Sequence, residues 1–254
     1  MAGAGDSARG DRGRVSASTV RIGTAGWSIP KRCAGSFPSE GSHLERYAQV
    51  FTAVEIDSSF YRSHRPGTYA RWAQTTPVHF RFAVKLPREI THKRKLVGAV
   101  EPLEQFLEEA GQLGEKLGPL LVQLPPSFAY DGQVAEAFFV ALRERYSGDL
   151  VCEPRHSTWF TTTADALLSQ LRIARVAADP ASLPSAAEPG GWPELIYRRL
   201  HGSPRVYYSA YGEDALKAIA AAMRQEKAQE SWCIFDNTAH GAACEDALTL
   251  QHQL

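Results

Sequence analysis

Sulfur is scarce: 254 residues carry two methionines and four cysteines. Cys33, Cys152, Cys233 and Cys244 form no C-x-x-C pair, so zinc-ribbon and thioredoxin chemistry have no support. Excess charge is also lacking. Lys plus Arg and Asp plus Glu each number 28, so net charge does not advertise a nucleic-acid or membrane-surface binder. No apolar run approaches the ~20 residues that span a bilayer, and no secretory apolar segment is present. The P-loop and the G-x-G-x-x-G fingerprint are missing, and Gly23 to Trp27, GTAGW, is too short to replace them. There is no H-E-x-x-H and no G-x-S-x-G elbow. These absences leave a globular chain, 44% apolar and 22% charged, that fits a reducing cytoplasm with small buried thiols at Cys152 and Cys233.

Residues 1–18 hold almost nothing apolar and read as a disordered N-terminal tail. The arginines there hint at a transit peptide, and Asp6 and Asp11 argue against one. Residues 19–254 read as one domain. Short, nearly continuous apolar runs recur at 20–24, 53–57, 80–85, 120–124, from 150, and at 173–178, 195–200 and 232–235. Such runs suit parallel strands covered on both faces. Between them lie helical patterns. Leu103, Phe106, Leu107, Ala110, Leu113 and Leu117 make one stripe, closed by a stop signal at Gly118-Pro119. Further helices are predicted around 134–142, 216–223, 44–50, 68–73, 164–170 and from 244 onward. Strands alternating with helices predict an α/β fold, a single (β/α)8 TIM-type barrel. Between strands six and seven, PASLPSAAEPGGWP replaces the helix with a Pro-rich loop.

The chemistry concentrates where the strands end. The stretch 150–160, LVCEPRHSTWF, starts apolar and runs into Glu153, Arg155 and His156, then Trp159. Alternation puts Glu153 and Arg155 on one face and Cys152 on the other. Other strand ends carry Trp27, then Glu55, Asp57 and Tyr61, Lys85, Gln123, Asp179, Arg199 with His201, and Asp236 with Asn237. Glu55 and Asp57 share a face, as do Arg199 and His201. In a barrel these ends form the mouth. An internal ion-pair network that fixes packing is the competing account of the same residues. Lys85 is either an ion-pair partner of Glu55 or Glu153 or an electrophile for an anion. The basic segment 88–95, REITHKRK, is a solvated loop or a phosphate clamp that includes His92. Trp27, Tyr61 and Trp159 are among the aromatics that could stack on a ring or line a wall. No cofactor is expected. Glu153, His156, Asp179 and His201 are residue types that hold a divalent metal, without a ligand spacing to support one.

The stretches IGTAGWS, FTAVEIDSSFYR, RWAQTTPVHFRFAVKLPREITH, LGPLLVQLPPSF, EPRHSTWF, YRRLHGS with YYSAY, and FDNTAHGAACEDAL, taken in order, resemble the YecE-like family, domain of unknown function 72. The resemblance runs from Val20 to the C-terminus. It implies a TIM barrel and motif positions at Glu55, Lys85, His92, Gln123, Glu153, Arg155, His156, Arg199, His201 and Asn237. The family's last motif resembles F-N-N; here it is Phe235-Asp236-Asn237, which adds a carboxylate. The family carries no assigned reaction.

The expectation is an enzyme of hydrolase or isomerase type, acting at the mouth on a small phosphate-bearing or otherwise anionic substrate. Glu153 is the general acid or base, with His201 or His156 as the second proton-transfer group. Lys85, Arg155 and Arg199 stabilise negative charge, while Gln123 and Asn237 orient the substrate. Glu55, Tyr61, His92, Asp236, Trp27 and Trp159 complete the binding set. Glu153→Gln is expected to abolish turnover and leave the fold intact. One alternative is a nucleic-acid-binding or phosphodiester-processing protein. The other is a non-catalytic ligand-binding barrel whose charged ring is structural.

Overall fold

The computed structural model describes residues 18–254. All but Ser18 of the expected tail lies outside the described residues, and Ser18 is exposed. The chain forms an α/β fold of parallel-rich sheets. Among the described residues the strands are β1 (Thr19–Thr24), β2 (Ala53–Ile56), β3 (Arg81–Lys85), β4 (Leu117–Gln123), β5 (Leu150–Glu153), β6 (Ile173–Arg175), β7 (Ala177–Asp179), β8 (Gly190–Gly191), β9 (Leu195–Leu200) and β10 (Glu230–Phe235). The α-helices between and after them are α1 (His43–Ala48), α2 (Pro66–Gln74), α3 (Val100–Ala110), α4 (Gly132–Arg145), α5 (Thr162–Gln170), α6 (Glu213–Gln225) and α7 (Ala242–His252).

One sheet has the order β1-β10-β9-β7 and the other β2-β3-β4-β5-β6-β8. Two seams join them. Ala25 bridges Glu55 in parallel, and the amide of Gly26 donates to the Glu55 carbonyl at 2.8 Å. On the other side β6 pairs with β5 and, past Val176, β7 pairs with β9. The strand predicted at 173–178 is therefore two short strands that serve different sheets.

Strand alternation sorts the apolar side chains into two layers. Val54, Phe82, Val84, Leu120, Val122, Cys152 and Phe235 face the helices, packed with Phe106, Phe139 and Leu168. Ala53, Ala83, Leu121 and Val151 from one sheet meet Leu195, Tyr197, Trp232 and Ile234 from the other in a separate inner cluster. Each fully buried large apolar side chain contributes roughly 1.5–3 kcal/mol. Two steps further along, the inner-facing row becomes Glu55, Lys85, Gln123, Glu153, Arg199 and Asp236. The same parity that fills the interior delivers the polar groups.

Gly23 shows how tight the β1–β2 seam is. A Cβ there would lie 2.2 Å from the Ala53 carbonyl oxygen. Gly23→Ala is expected to cost about 1–3 kcal/mol in denaturant unfolding. A midpoint unchanged from the parent would refute that close approach.

Two expectations are corrected. The stripe from Leu103 to Leu117 is not one helix: α3 ends at Ala110 and a 3-10 segment, Gly111–Lys116, follows, with Gly114 at φ 55°. The stop comes from Gly111 and Gly114, whereas Gly118-Pro119 lies inside β4, where the Trp232 ring occupies the place of a Cβ on Gly118. The Pro-rich stretch has no α-helix, as expected, but it is not featureless. It holds a 3-10 turn, Pro184–Ala186, and β8 runs antiparallel to β6. Buried Arg175 fixes it, donating to the carbonyls of Ser185 (2.8 Å) and Glu188 (3.2 Å) while paired with Asp165.

Candidate functional site

At the C-terminal ends of the strands lies a buried ion network. Its hub is Arg199, 0% exposed near the end of β9. Nη2 and Nε reach Glu55 Oε1 and Oε2 at 2.7 and 3.0 Å, and Nη1 reaches Glu153 Oε2 at 2.8 Å. Nη2 also reaches Asp236 Oδ2 at 3.1 Å. The Tyr197 hydroxyl donates to Glu55 at 2.8 Å. Burial of this much charge is tolerable because every partner is hydrogen-bonded.

Next to the hub, His201 is held at both ends of its ring. Nδ1 lies 2.9 Å from Asp236 Oδ2, and Nε2 lies 2.9 Å from Glu153 Oε1. Arg155 Nη2 is 2.9 Å from the same Nε2 and 2.6 Å from Glu153 Oε1. Both protonation states are accommodated without moving a heavy atom. With Nδ1–H donating to Asp236, the bare Nε2 accepts from Arg155. Once protonated, Nε2 donates to Glu153.

The carboxyls are driven apart. Burial opposes ionisation of Glu153, yet the Arg199 and Arg155 guanidiniums and His201 hold it well below the usual carboxylate range. Asp236 is likewise lowered, against burial, by Arg199 and His201. Burial pushes Glu55 upward against the pull of Arg199.

The upper edge of the network is open. The Asp57 side chain is 27% exposed and takes Lys85 Nζ at 2.7 Å, so the lysine's partner is Asp57 rather than Glu55 or Glu153. Lys85 also sits over the Phe60 ring at 4.3 Å. Arg155 is 25% exposed, and its Nε is buried without a partner. His92 packs edge-on against Phe60; burial, then Lys85, Arg88 and Arg155, lower its pKa. Those three cations thus converge on one half-buried imidazole. Gln123 is half-buried and paired in register with Glu153.

Other expected site residues stand elsewhere. Trp159 is a core residue, fully buried with its indole N–H donating to the Phe128 carbonyl at 2.9 Å, and it cannot touch a substrate. His156 caps the turn Ser157–Trp159, with Nδ1 3.0 Å from Thr158 Oγ1, and is not in the network. Asn237 is buried and ties the Ser209 carbonyl (2.9 Å) to Asp246 (2.7 Å); it positions a loop, not a ligand. Trp27 packs edge-on against Trp72. Tyr61 is exposed and lines a separate groove of about 300 Å3 with Arg62, Arg88 and Lys93. The donors of Arg199 are spent on carboxylates, so it holds the cluster rather than a substrate. In the basic segment 88–95, Glu89 takes Lys93 (2.8 Å) and Arg94 (3.2 Å) and Lys95 donates to the Ser127 carbonyl (3.3 Å), so one carboxylate stands among four cations and the segment stays net basic. Among the described residues, no group of three or more His, Cys, Asp or Glu is arranged to hold a metal ion. Asp179 instead accepts from the Tyr211 hydroxyl at 2.8 Å.

Glu153 anchors Arg199, Arg155 and His201 together, so Glu153→Gln is expected to lower stability as well as turnover. Two residues outside the expected binding set also stand at the cluster. Asp57 is the most exposed carboxylate of the cluster, and alternation with Glu55 pointed to it. Tyr207 lies edge-on to His201 with ring centroids 5.9 Å apart, and no periodicity signals it.

A family model described as "Protein of unknown function DUF72" matches residues 21–254. The UPF0759 protein YecE of Escherichia coli K12 is 32% identical over 109 residues, 43% of this chain and 39% of that protein. The UPF0759 protein YunF of Bacillus subtilis 168 is 27% identical over 150 residues, 56% of this chain and 52% of that protein. The matched stretches thus span about half or less of these curated relatives. Two crystal structures are similar in fold. A DUF72 family protein from Enterococcus faecalis V583 has a TM-score of 0.78 at 22% identity, covering 93% of this chain and 95% of that one. Another from Thermotoga maritima MSB8 has a TM-score of 0.74 at 25% identity, covering 92% and 98%.

Proposed function

The chain belongs to the DUF72 family of proteins of unknown function, and on that premise we propose that it is an acid–base enzyme, of hydrolase type, for a phosphate-bearing or otherwise anionic substrate. The observation that carries this reading is His201 between Asp236 and Glu153, with a partner ready for each protonation state. The anion would lie against Lys85, His92 and Arg155, where the buried, unpartnered Nε of Arg155 is a donor in waiting. Drawing Arg155 toward the anion would free His201 Nε2 to take a proton from an attacking water and return it to the leaving group, while Glu153 steadies the imidazolium. Isomerisation would use the same proton transfer without the water. The bridge at Ala25–Glu55 and the strand shared across Val176 support closure of the two sheets into one (β/α)8 barrel, with this cluster at its C-terminal mouth. A cytoplasmic setting is supported by four free, buried thiols; among the described residues no helix is long and apolar enough to cross a membrane.

A second reading has its own observation. Arg199, Glu55, Glu153 and His201 are paired and buried, as in a binding barrel whose charges are structural. Nucleic acid is disfavoured by the zero net charge of the chain. Titration calorimetry with inorganic phosphate, followed by an assay of phosphate released from phenyl phosphate, tests the proposal. Phosphate should bind, and Arg155→Gln should weaken it by about 10- to 100-fold, the worth of a hydrogen bond to a charged group. Binding without release would favour the binding barrel, and no binding at all would sink the anion site.

A further inference from the structure

We propose that the substrate carries a flat, unsaturated ring beside its anionic group, and that Tyr207 is the residue that reads the ring; this rests on the anion-site reading above. Tyr207 adopts φ 70°, a left-handed conformation that bulky side chains avoid. Its loop enforces that conformation. The Tyr207 amide donates to the His201 carbonyl at 2.5 Å, and the Ala239 amide donates to the Tyr207 carbonyl at 3.1 Å. Asn237 holds Ser209, and the Gly202 amide donates to the Tyr211 hydroxyl at 3.0 Å. At Gly202, φ is 93° and a Cβ would lie 2.6 Å from the Ser209 carbonyl oxygen, so the loop closes only with glycine there.

Core burial does not explain a tyrosine at such a position, because Tyr207 is 44% exposed. Its neighbour Tyr208 is occupied, with Arg205 3.9 Å over its ring and His240 edge-on at 5.0 Å. Among the described residues, the ring contact of Tyr207 is edge-on to His201 at 86°. Tyr207 is thus a part-exposed aromatic ring beside the proton-transfer group. Backbone strain held by surrounding bonds at such a place marks a side chain kept for contact. A tyrosine face favours offset stacking with a flat ring over a puckered one of the same size.

Phenyl phosphate and cyclohexyl phosphate are the probes, measured by calorimetry on the full chain, with inorganic phosphate as reference. Phenyl phosphate should bind about tenfold tighter than cyclohexyl phosphate, a stacking-sized preference. Tyr207→Leu should erase the preference, and Tyr207→Phe should keep it. Equal affinities in the parent protein, or a preference that survives Tyr207→Leu, would overturn the inference while the anion site stands. Failure of inorganic phosphate and both esters to bind would overturn both.

Discussion

Arg199→Met is expected to cost about 3–5 kcal/mol of folding stability, read as a fall in the denaturant midpoint at neutral pH. The size follows from what the guanidinium leaves behind. The Glu55 side chain is 0% exposed, that of Glu153 1% and that of Asp236 12%; Glu55 loses its cation outright, while Glu153 is left with Arg155 and Asp236 with His201. Methionine fills the volume of the arginine stem, so lost packing is a small part of the change. The loss is a large fraction of the roughly 5–15 kcal/mol that holds a domain folded. Adding Glu55→Gln to Arg199→Met removes one stranded charge and should recover part of the loss, because the two sites share one network and cannot be additive. A single-variant loss under about 1 kcal/mol would mean that Arg199 is not the hub, and that solvent reaches the carboxylates more freely than their burial implies.

The sequence made the positions of these groups legible but not their pairing. Near-continuous apolar runs mark most of the strands to within a residue or two, with β4 starting three residues earlier than its run, and alternation puts Arg199 and His201 on one face, as it does Glu153 and Arg155. Pairing depends on register between strands distant in sequence. Lys85 meets Asp57, 28 residues away, and Arg199 meets Glu55, 144 residues away. Alternation alone could not choose between Asp57 and Glu55 for the lysine. Trp159 was misread because the turn after β5 swings it back against Phe139 and Phe128, where no period applies. Tyr207 was invisible for a related reason. Its importance lies in a positive φ held by backbone hydrogen bonds to His201 and from Ala239, and sequence patterning carries no trace of that. The Gly118-Pro119 pair misled as a helix stop because glycine there serves Trp232 on a neighbouring part of the sheet system.

Glu153→Gln should change the pH dependence of stability as well as its level. The folded-state pKa of Glu153 lies well below 4.5 and that of Asp236 below 3.8, so each contributes stability that is present above its unfolded value and lost as pH falls through its folded value. Glu55 has the opposite sign. Its folded pKa is raised, so its contribution is full below 4.5 and lost as pH rises through the raised value. The strongly depressed Glu153 is the group expected to give a loss of stability as pH falls below about 4.5. In Glu153→Gln the largest source of that slope is gone. The amide also turns an N–H toward either Arg199 or Arg155, both of which donate to Glu153, so neutral-pH stability should fall by about 3–5 kcal/mol. The parent and variant curves should then converge as pH drops, because protonated Glu153 in the parent loses the same charge that Gln lacks. Urea midpoints measured across the acid range would show this directly. Parallel curves with a constant offset would mean that the loss is steric, and that the charge of Glu153 is not what binds Arg155, Arg199 and His201 into one unit.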